Sequence, residues 1–398
     1  MSNSLSLRTL IDVAEDEYTE ECTLGPRDFG NPTLLAGRRP PRLVKRRLRG
    51  GLRDGVDIVE VDNGRLSLTV VPTRGMGIHR ARCEGVELGW RSPVHGPVNP
   101  RNVPLDEASG IGWLSGFDEF LVRCGLEWCG APEWDSSGKL IHPLHGRIAN
   151  LPAHRVDVGF DSATNEIVVV GTVDEARIFA NKLRLTSTLR TKLGSNEFAI
   201  SDEITNLSTL PGELQLLYHI NQGVPLVGEG AKFHAPVKTL VPKDAHAASE
   251  IGNWQSYPAP QHGPESVFFF ELLAGDDGWT QTLLSSASGK EGLAVAFDRK
   301  QFPLFTLWKN PLPVEDGYVT GLEPCINLPN TKGFEKSQGR VAVLQPGETR
   351  RFDMRLQVLT SAGEVGNVRQ QIDTLQKQAA PQIFNEPQLG WSPPPFGG

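Results

Sequence analysis

The run Lys182 to Lys192 alternates polar side chains with Leu183, Leu185 and Leu189 over much of its length, a period of two that fits a strand with one dry and one wet face. It leads through Gly194-Ser195-Asn196-Glu197 into a second run at residues 198–204. Two strands about such a turn predict a hairpin. Arg65 to Val71 alternates in the same way, and further strands are expected at 166–172, 212–218, 292–297, 303–308, 317–323, 339–344 and 349–359. The segment Leu344-Gln345-Pro346-Gly347-Glu348-Thr349 supplies a turn between the last two. The 42 glycines and 30 prolines punctuate these runs. No regular alternation of helix with strand is visible, which excludes a parallel α/β fold. The expectation is an all-β chain, a large antiparallel sandwich with few short helices.

Helical signals lie at the edges. One is expected over residues 4–16 and another over 363–378, where Val365, Val368, Ile372 and Leu375 recur at helical spacing. The tail from Pro381 to Gly398 is rich in proline and should run extended, across the sandwich or against a partner chain, so a homo-oligomer is one of the assemblies open to it. The chain thus divides into an N-terminal extension (1–54), a sandwich (55–362), and a C-terminal helix and tail (363–398). Arg38, Arg39, Arg42, Lys45, Arg46, Arg47 and Arg49 crowd one short segment. A charge run of this kind, with few aromatics interleaved, reads as a solvated connector or a ledge of salt bridges.

Of the 398 residues, 47 are acidic and 40 are Lys or Arg, for a formal net charge of -7. The chain as a whole therefore repels nucleic acid and anionic membrane surfaces. No window approaches the roughly 18 apolar residues of a spanning helix, and residues 1–12 show neither a secretory nor a transit signal. The five cysteines, Cys22, Cys83, Cys124, Cys129 and Cys325, are odd in number and irregular in spacing. They point to a reducing compartment, and the expected location is cytoplasmic.

Chemistry is expected where polar residues end or interrupt strands. Glu323 closes Tyr318-Val319-Thr320-Gly321-Leu322, and His219 follows Leu216-Leu217-Tyr218. An imidazole and a carboxyl group held on rigid strands are sufficient to move protons on a neutral substrate. Asn221 and Gln222 flank His219 and hydrogen-bond hydroxyl groups well. Arg74, His145 and Lys309 join them as substrate-binding candidates, with Trp113, Tyr218 and Trp308 as candidate sugar platforms. His142 and His145 frame Pro143-Leu144, so they do not share a helix face. A divalent metal site would require them to combine with His219 and Glu323.

These residues carry a resemblance. Leu144-His145-Gly146 resembles a segment of the aldose 1-epimerases, the galactose mutarotase family, and His219-Ile220-Asn221 is similar to that family's catalytic histidine segment. Glu323, ahead of Pro329-Asn330, resembles its catalytic glutamate, and Pro72-Thr73-Arg74-Gly75-Met76 is at home in a divergent branch. The resemblance spans about residues 55–360. It implies the galactose mutarotase-like β-supersandwich and a small sugar as substrate, with no cofactor. It further implies that Glu323 takes the proton of the C1 hydroxyl while His219, as imidazolium, protonates the ring oxygen, and that His145 binds hydroxyls. The family's sugar-contacting arginine lies in a segment other than that of Arg74, and Asp276 and Asp277 are unsupported candidates for its substrate-binding aspartate. Two alternatives stay open: a metal-dependent isomerase, epimerase or lyase acting on a keto-sugar, and a carbohydrate-binding protein without turnover.

Overall fold

The computed structural model describes residues 5–28 and 39–394. Two large sheets face each other across one apolar core. The first has ten strands and centres on Thr349–Leu359, Glu197–Asn206, Lys182–Lys192 and Glu166–Ala176. The second has fourteen, and its middle runs Ser266–Leu272, Leu304–Asn310, Val319–Cys325, Gly212–Gly223, Leu121–Leu126. Neighbours within both sheets run antiparallel, apart from a parallel pairing of Gln382–Ile383 with Val237–Pro242 at one edge. The architecture is the galactose mutarotase-like supersandwich, with large antiparallel sheets and few helices.

The hairpin is formed as expected: Lys182–Lys192 pairs with Glu197–Asn206, and Leu185 faces Ile204. Alternate burial along Lys182–Lys192 matches its alternating sequence. The helix expected over 363–378 is Ala362–Gln376, capped by Ser361, whose side chain accepts from the Glu364 amide. Its Val365, Val368 and Ile372 pack on Leu283, Ala294 and Leu359.

The helix expected over 4–16 is not formed. Leu5–Asp12 is a strand paired with Arg155–Asp161, and a β-bulge between Thr9 and Ile11 turns both Leu10 and Ile11 inward. Two adjacent buried apolar residues broke the alternation and gave the segment its helical look. Residues 1–54 contribute strands to both sheets, Leu5–Asp12 to the first and Arg42–Arg47 to the second.

The basic segment is a ledge of ion pairs. Lys45 is buried with Asp57 at 2.8 Å, Arg46 meets Glu60 at 2.7 Å, and Arg49 pairs with Glu20. Arg47 and Arg39 reach Asp57 and Asp62. Arg38 lies outside the described residues. No helix among the described residues is long and apolar enough to cross a membrane. The tail packs on the sandwich, with Gln382–Ile383 joining a sheet edge and Trp391 against the core cluster that includes Trp113 and Phe117.

A buried ionic bolt joins the sheets. Arg123, on Leu121–Leu126, donates to Asp202 on the opposite sheet, with 3.0 Å for the Nη2 contact, and to Ser187 Oγ at 2.8 Å. The Tyr218 hydroxyl donates to the same carboxylate. All of these side chains lie in the interior.

Candidate active site

His219 and Glu323 are cross-strand neighbours. On Gly212–Gly223 and Val319–Cys325, Leu217 faces Cys325 and Ile220 faces Leu322. That register sets His219 directly across from Glu323. Thr306 lies across from Glu323 on the far side, so one row of the fourteen-stranded sheet carries an imidazole, a carboxyl and a hydroxyl on the same face. This row floors a cavity of about 330 Å³.

The strand period sorts the other candidates. Asn221 is two residues from His219 and shares its face, whereas Tyr218 and Gln222 point to the other side. Tyr218 accordingly enters the ionic bolt, and the Gln222 carbonyl accepts from the Gly89 amide at 3.0 Å. Trp308 lines the cavity, so its neighbour Lys309 does not. The Lys309 ammonium instead donates to the Ser256 carbonyl at 2.7 Å, beside the Tyr257 ring, and burial lowers its pKa to about 8. Arg74 is fully buried beneath the site, paired with Glu119 and donating to the Gly116 carbonyl at 2.9 Å. It braces the turn that carries Trp113 and Phe117. His142 is held by Glu133 at 2.7 Å and does not line the cavity, and neither do Asp276 and Asp277. Among the described residues no group of three or more His, Cys, Asp or Glu side chains is arranged to hold a metal ion.

His145, His219 and Glu323 do converge. His145 sits in the left-handed backbone region at φ 58°, unusual for a histidine, and its ring meets that of Trp113 at 4.8 Å and that of His219 at 5.6 Å. Phe117 and Trp308 stand 5.2 and 5.3 Å from the His219 ring. His219 is thus enclosed by aromatic surface on a dry floor.

Asn221 fixes the tautomer of His219. Its amide nitrogen donates to the carbonyls of Glu119 at 2.9 Å and His219 at 3.2 Å. Its oxygen therefore faces His219 Nδ1, which must be the donor in that contact. Nε2 is left pointing at Glu323 Oε1, 3.2 Å away. Although this is ion-pair distance, Oε1 has no hydrogen-bond partner among the described residues, and burial opposes both charges. Burial lowers the imidazole from its ordinary 6.5 to about 4 and raises the Glu323 carboxyl well above its usual range. Both shifts favour the uncharged forms, a neutral imidazole beside a carboxylic acid, and so run against the imidazolium that the resemblance implies for His219.

The same imidazole makes stability depend on pH. Below about 6.5 an unfolded His219 takes up a proton that the folded form refuses until about 4, so the fold loses stability as pH falls through that window. At about 1.4 kcal/mol per pH unit this amounts to on the order of 3 kcal/mol. In urea unfolding, the stability of His219→Asn relative to the parent should rise as pH falls from 7 to 4. A difference that stays level across that range would show that His219 is not held neutral.

Gly321 leaves room for the pair. A Cβ there would lie 2.3 Å from Glu323 Oε1 and 2.9 Å from His219 Cε1. Gly321→Ala should displace the carboxyl and lower turnover by about tenfold or more, because ångström-scale misplacement of a reacting group is costly. Full activity in this variant would show that the carboxyl position is not critical.

The sequence did not reveal Phe117, Thr306, Lys243 or Glu265, all of which line the cavity. For Thr306 a signal existed, since counting two back from Trp308 on one strand reaches it. Lys243 and Glu265 lie outside regular periodicity on converging segments. Glu265 accepts from the Trp308 indole at 2.6 Å and stands 3.9 Å from the Lys243 ammonium.

Facing antiparallel sheets with a paired imidazole and carboxyl on the floor of an aromatic cavity define a galactose mutarotase-like protein. Residues 53–358 match the family described as "Domain of unknown function (DUF4432)". A Klebsiella pneumoniae protein described as a "putative aldose 1-epimerase" is 34% identical over 96% of this chain and 99% of its own, with a TM-score of 0.91. The chain belongs to the DUF4432 family, a branch of the aldose 1-epimerase superfamily. A galactose mutarotase-like protein from Clostridium acetobutylicum is 14% identical, covering 77% of this chain and 96% of its own, with a TM-score of 0.53. Galactose 1-epimerase from Lactobacillus acidophilus is 13% identical, covering 80% and 98%, also at 0.53. These two share the fold. No curated protein matches the chain.

Proposed function

We propose that the chain is an aldose 1-epimerase that interconverts sugar anomers by opening and closing the ring. The observation that carries this reading is the cross-strand pair, in which His219 Nε2 and the unpartnered Glu323 Oε1 stand 3.2 Å apart on the floor of a cavity sized for one pyranose.

With both groups neutral at rest, the protonated Glu323 gives its proton to the ring oxygen while His219 Nε2 takes the proton of the C1 hydroxyl. The bond between C1 and the ring oxygen breaks, and C1 becomes an aldehyde. The pair is then carboxylate and imidazolium, adjacent and mutually stabilising. Rotation about the C1–C2 bond presents the other face, and the two transfers run backwards to close the opposite anomer. One proton is carried by the pair in both states, so the cycle consumes nothing and requires no cofactor. Relative to the scheme implied by resemblance, the acid and base exchange places in the opening step. His145 Nδ1 and Trp113 Nε1, both buried without partners, supply further contacts for hydroxyl groups.

Exchange spectroscopy by NMR on glucose, galactose and a panel of other aldoses tests the reading. Acceleration of anomer exchange over the buffer rate is expected for at least one, and acceleration of none would overturn it.

A further inference from the structure

The cavity contains a charge that ring opening does not use. Lys243 is the one cationic side chain lining it among the described residues, and its side chain is 37% exposed. Its ammonium makes no hydrogen bond among the described residues, and its only ion pair, with Glu265, is stretched to 3.9 Å. Glu265 is committed elsewhere through the 2.6 Å bond from the Trp308 indole. An ammonium brings three donors to a site, and here their one charged neighbour among the described residues is the Glu265 carboxylate at 3.9 Å.

The floor sets the complement. Two carboxylates close together repel, so an anionic ligand would be rejected by an ionised Glu323. With His219 and Glu323 both uncharged at rest, that repulsion is absent. At a distance, Glu265 adds to burial in opposing ionisation of Glu323 while Lys243 favours it, and Lys243 adds to burial and His219 in opposing protonation of His145. The Trp113 indole, which lines the cavity, adds a buried donor with no hydrogen-bond partner among the described residues.

From the Lys243 ammonium, part-exposed at the cavity and held only by a long contact to Glu265, we infer that the preferred substrates are aldoses bearing a carboxylate remote from C1, the uronic acids. This rests on the aldose 1-epimerase reading. One lysine without an arginine fork, beside a five-residue helix (Ala245–Ser249) whose N-terminus Asp244 already caps, suits a monoanionic carboxylate better than a phosphate dianion. Lys243 is then a residue of specificity, holding the acid end while His219 and Glu323 act at C1.

The test measures anomer exchange by NMR for glucuronate against glucose and for galacturonate against galactose, with glucose 6-phosphate as a third arm, on the parent chain and Lys243→Gln. The acids should be the better substrates. Lys243→Gln should reduce kcat/KM for the acids about 10- to 100-fold more than for their neutral counterparts, the range expected for loss of a charge-assisted hydrogen bond. Raised salt should narrow the preference. Neutral sugars exchanged as well as the acids, or equal losses in the variant, would overturn the inference while leaving the epimerase reading intact. Preference for glucose 6-phosphate would overturn the carboxylate assignment. Acceleration of no sugar would remove both readings together.

Discussion

Glu323→Gln is expected to lower anomer exchange by about 10²- to 10⁴-fold, the contribution typical of a positioned acid or base, while leaving the fold intact. Burial favours the protonated carboxyl that the proposed cycle starts from, and the amide reproduces its neutral shape and its capacity to donate one hydrogen bond. What the amide lacks is a transferable proton. Substrate binding, read by NMR titration, should therefore survive with little change while kcat falls. Stability carries a second signature. A carboxyl with a raised folded pKa destabilises the fold as pH rises above 4.5, where the unfolded chain ionises and the folded chain does not. Glu323→Gln should thus unfold at a higher temperature than the parent at pH 8, and the gap should close toward pH 4. A variant that exchanges anomers at the parental rate would refute the assignment of Glu323.

Arg123→Met is expected to cost about 3–5 kcal/mol of stability in urea unfolding, because it strands the Asp202 carboxylate inside the core. Arg123 and Asp202 belong to opposite sheets and are both essentially fully buried, so water cannot replace the lost partner. Met76 and Gly75 also lose the donors that reach their carbonyls, the first at 2.8 Å and the second at 3.2 Å. Replacing both ends, as Arg123→Met with Asp202→Leu, should recover much of the loss, since a matched apolar pair leaves no uncompensated charge. Tyr218 binds the same carboxylate and immediately precedes His219. The single variant should therefore also loosen the strand that carries His219 and lower any anomer exchange in the residual folded population. A loss below about 1 kcal/mol would mean that the bolt contributes little to holding the sheets together.

Much of this was legible in the sequence because strands announce themselves by period. Lys182–Lys192 and Thr349–Leu359 were readable from alternation alone. Leu5–Asp12 was not, since its bulge mixes the two faces in a way that no local rule separates from a helix. At the site, His219, Glu323 and His145 were visible as polar residues in strand or turn settings. Lys309 and Gln222 were misplaced for one shared reason: proximity along a strand is not proximity in space, and an odd offset from a cavity residue leads to the opposite face. Lys243 and Glu265 meet through tertiary packing of separate segments, so nothing local marks them.

The fixed separation of His219 and Glu323 has a bearing on how relatives diverge. Strand pairing holds the imidazole and the carboxyl in place, whereas much of the wall around them, at 113, 114, 117, 131, 132, 144, 145, 243 and 265, comes from connecting segments. Substitutions in those segments can change which sugar fits without disturbing the chemistry beneath. Such an architecture lets the rim be edited while the paired groups beneath keep their spacing.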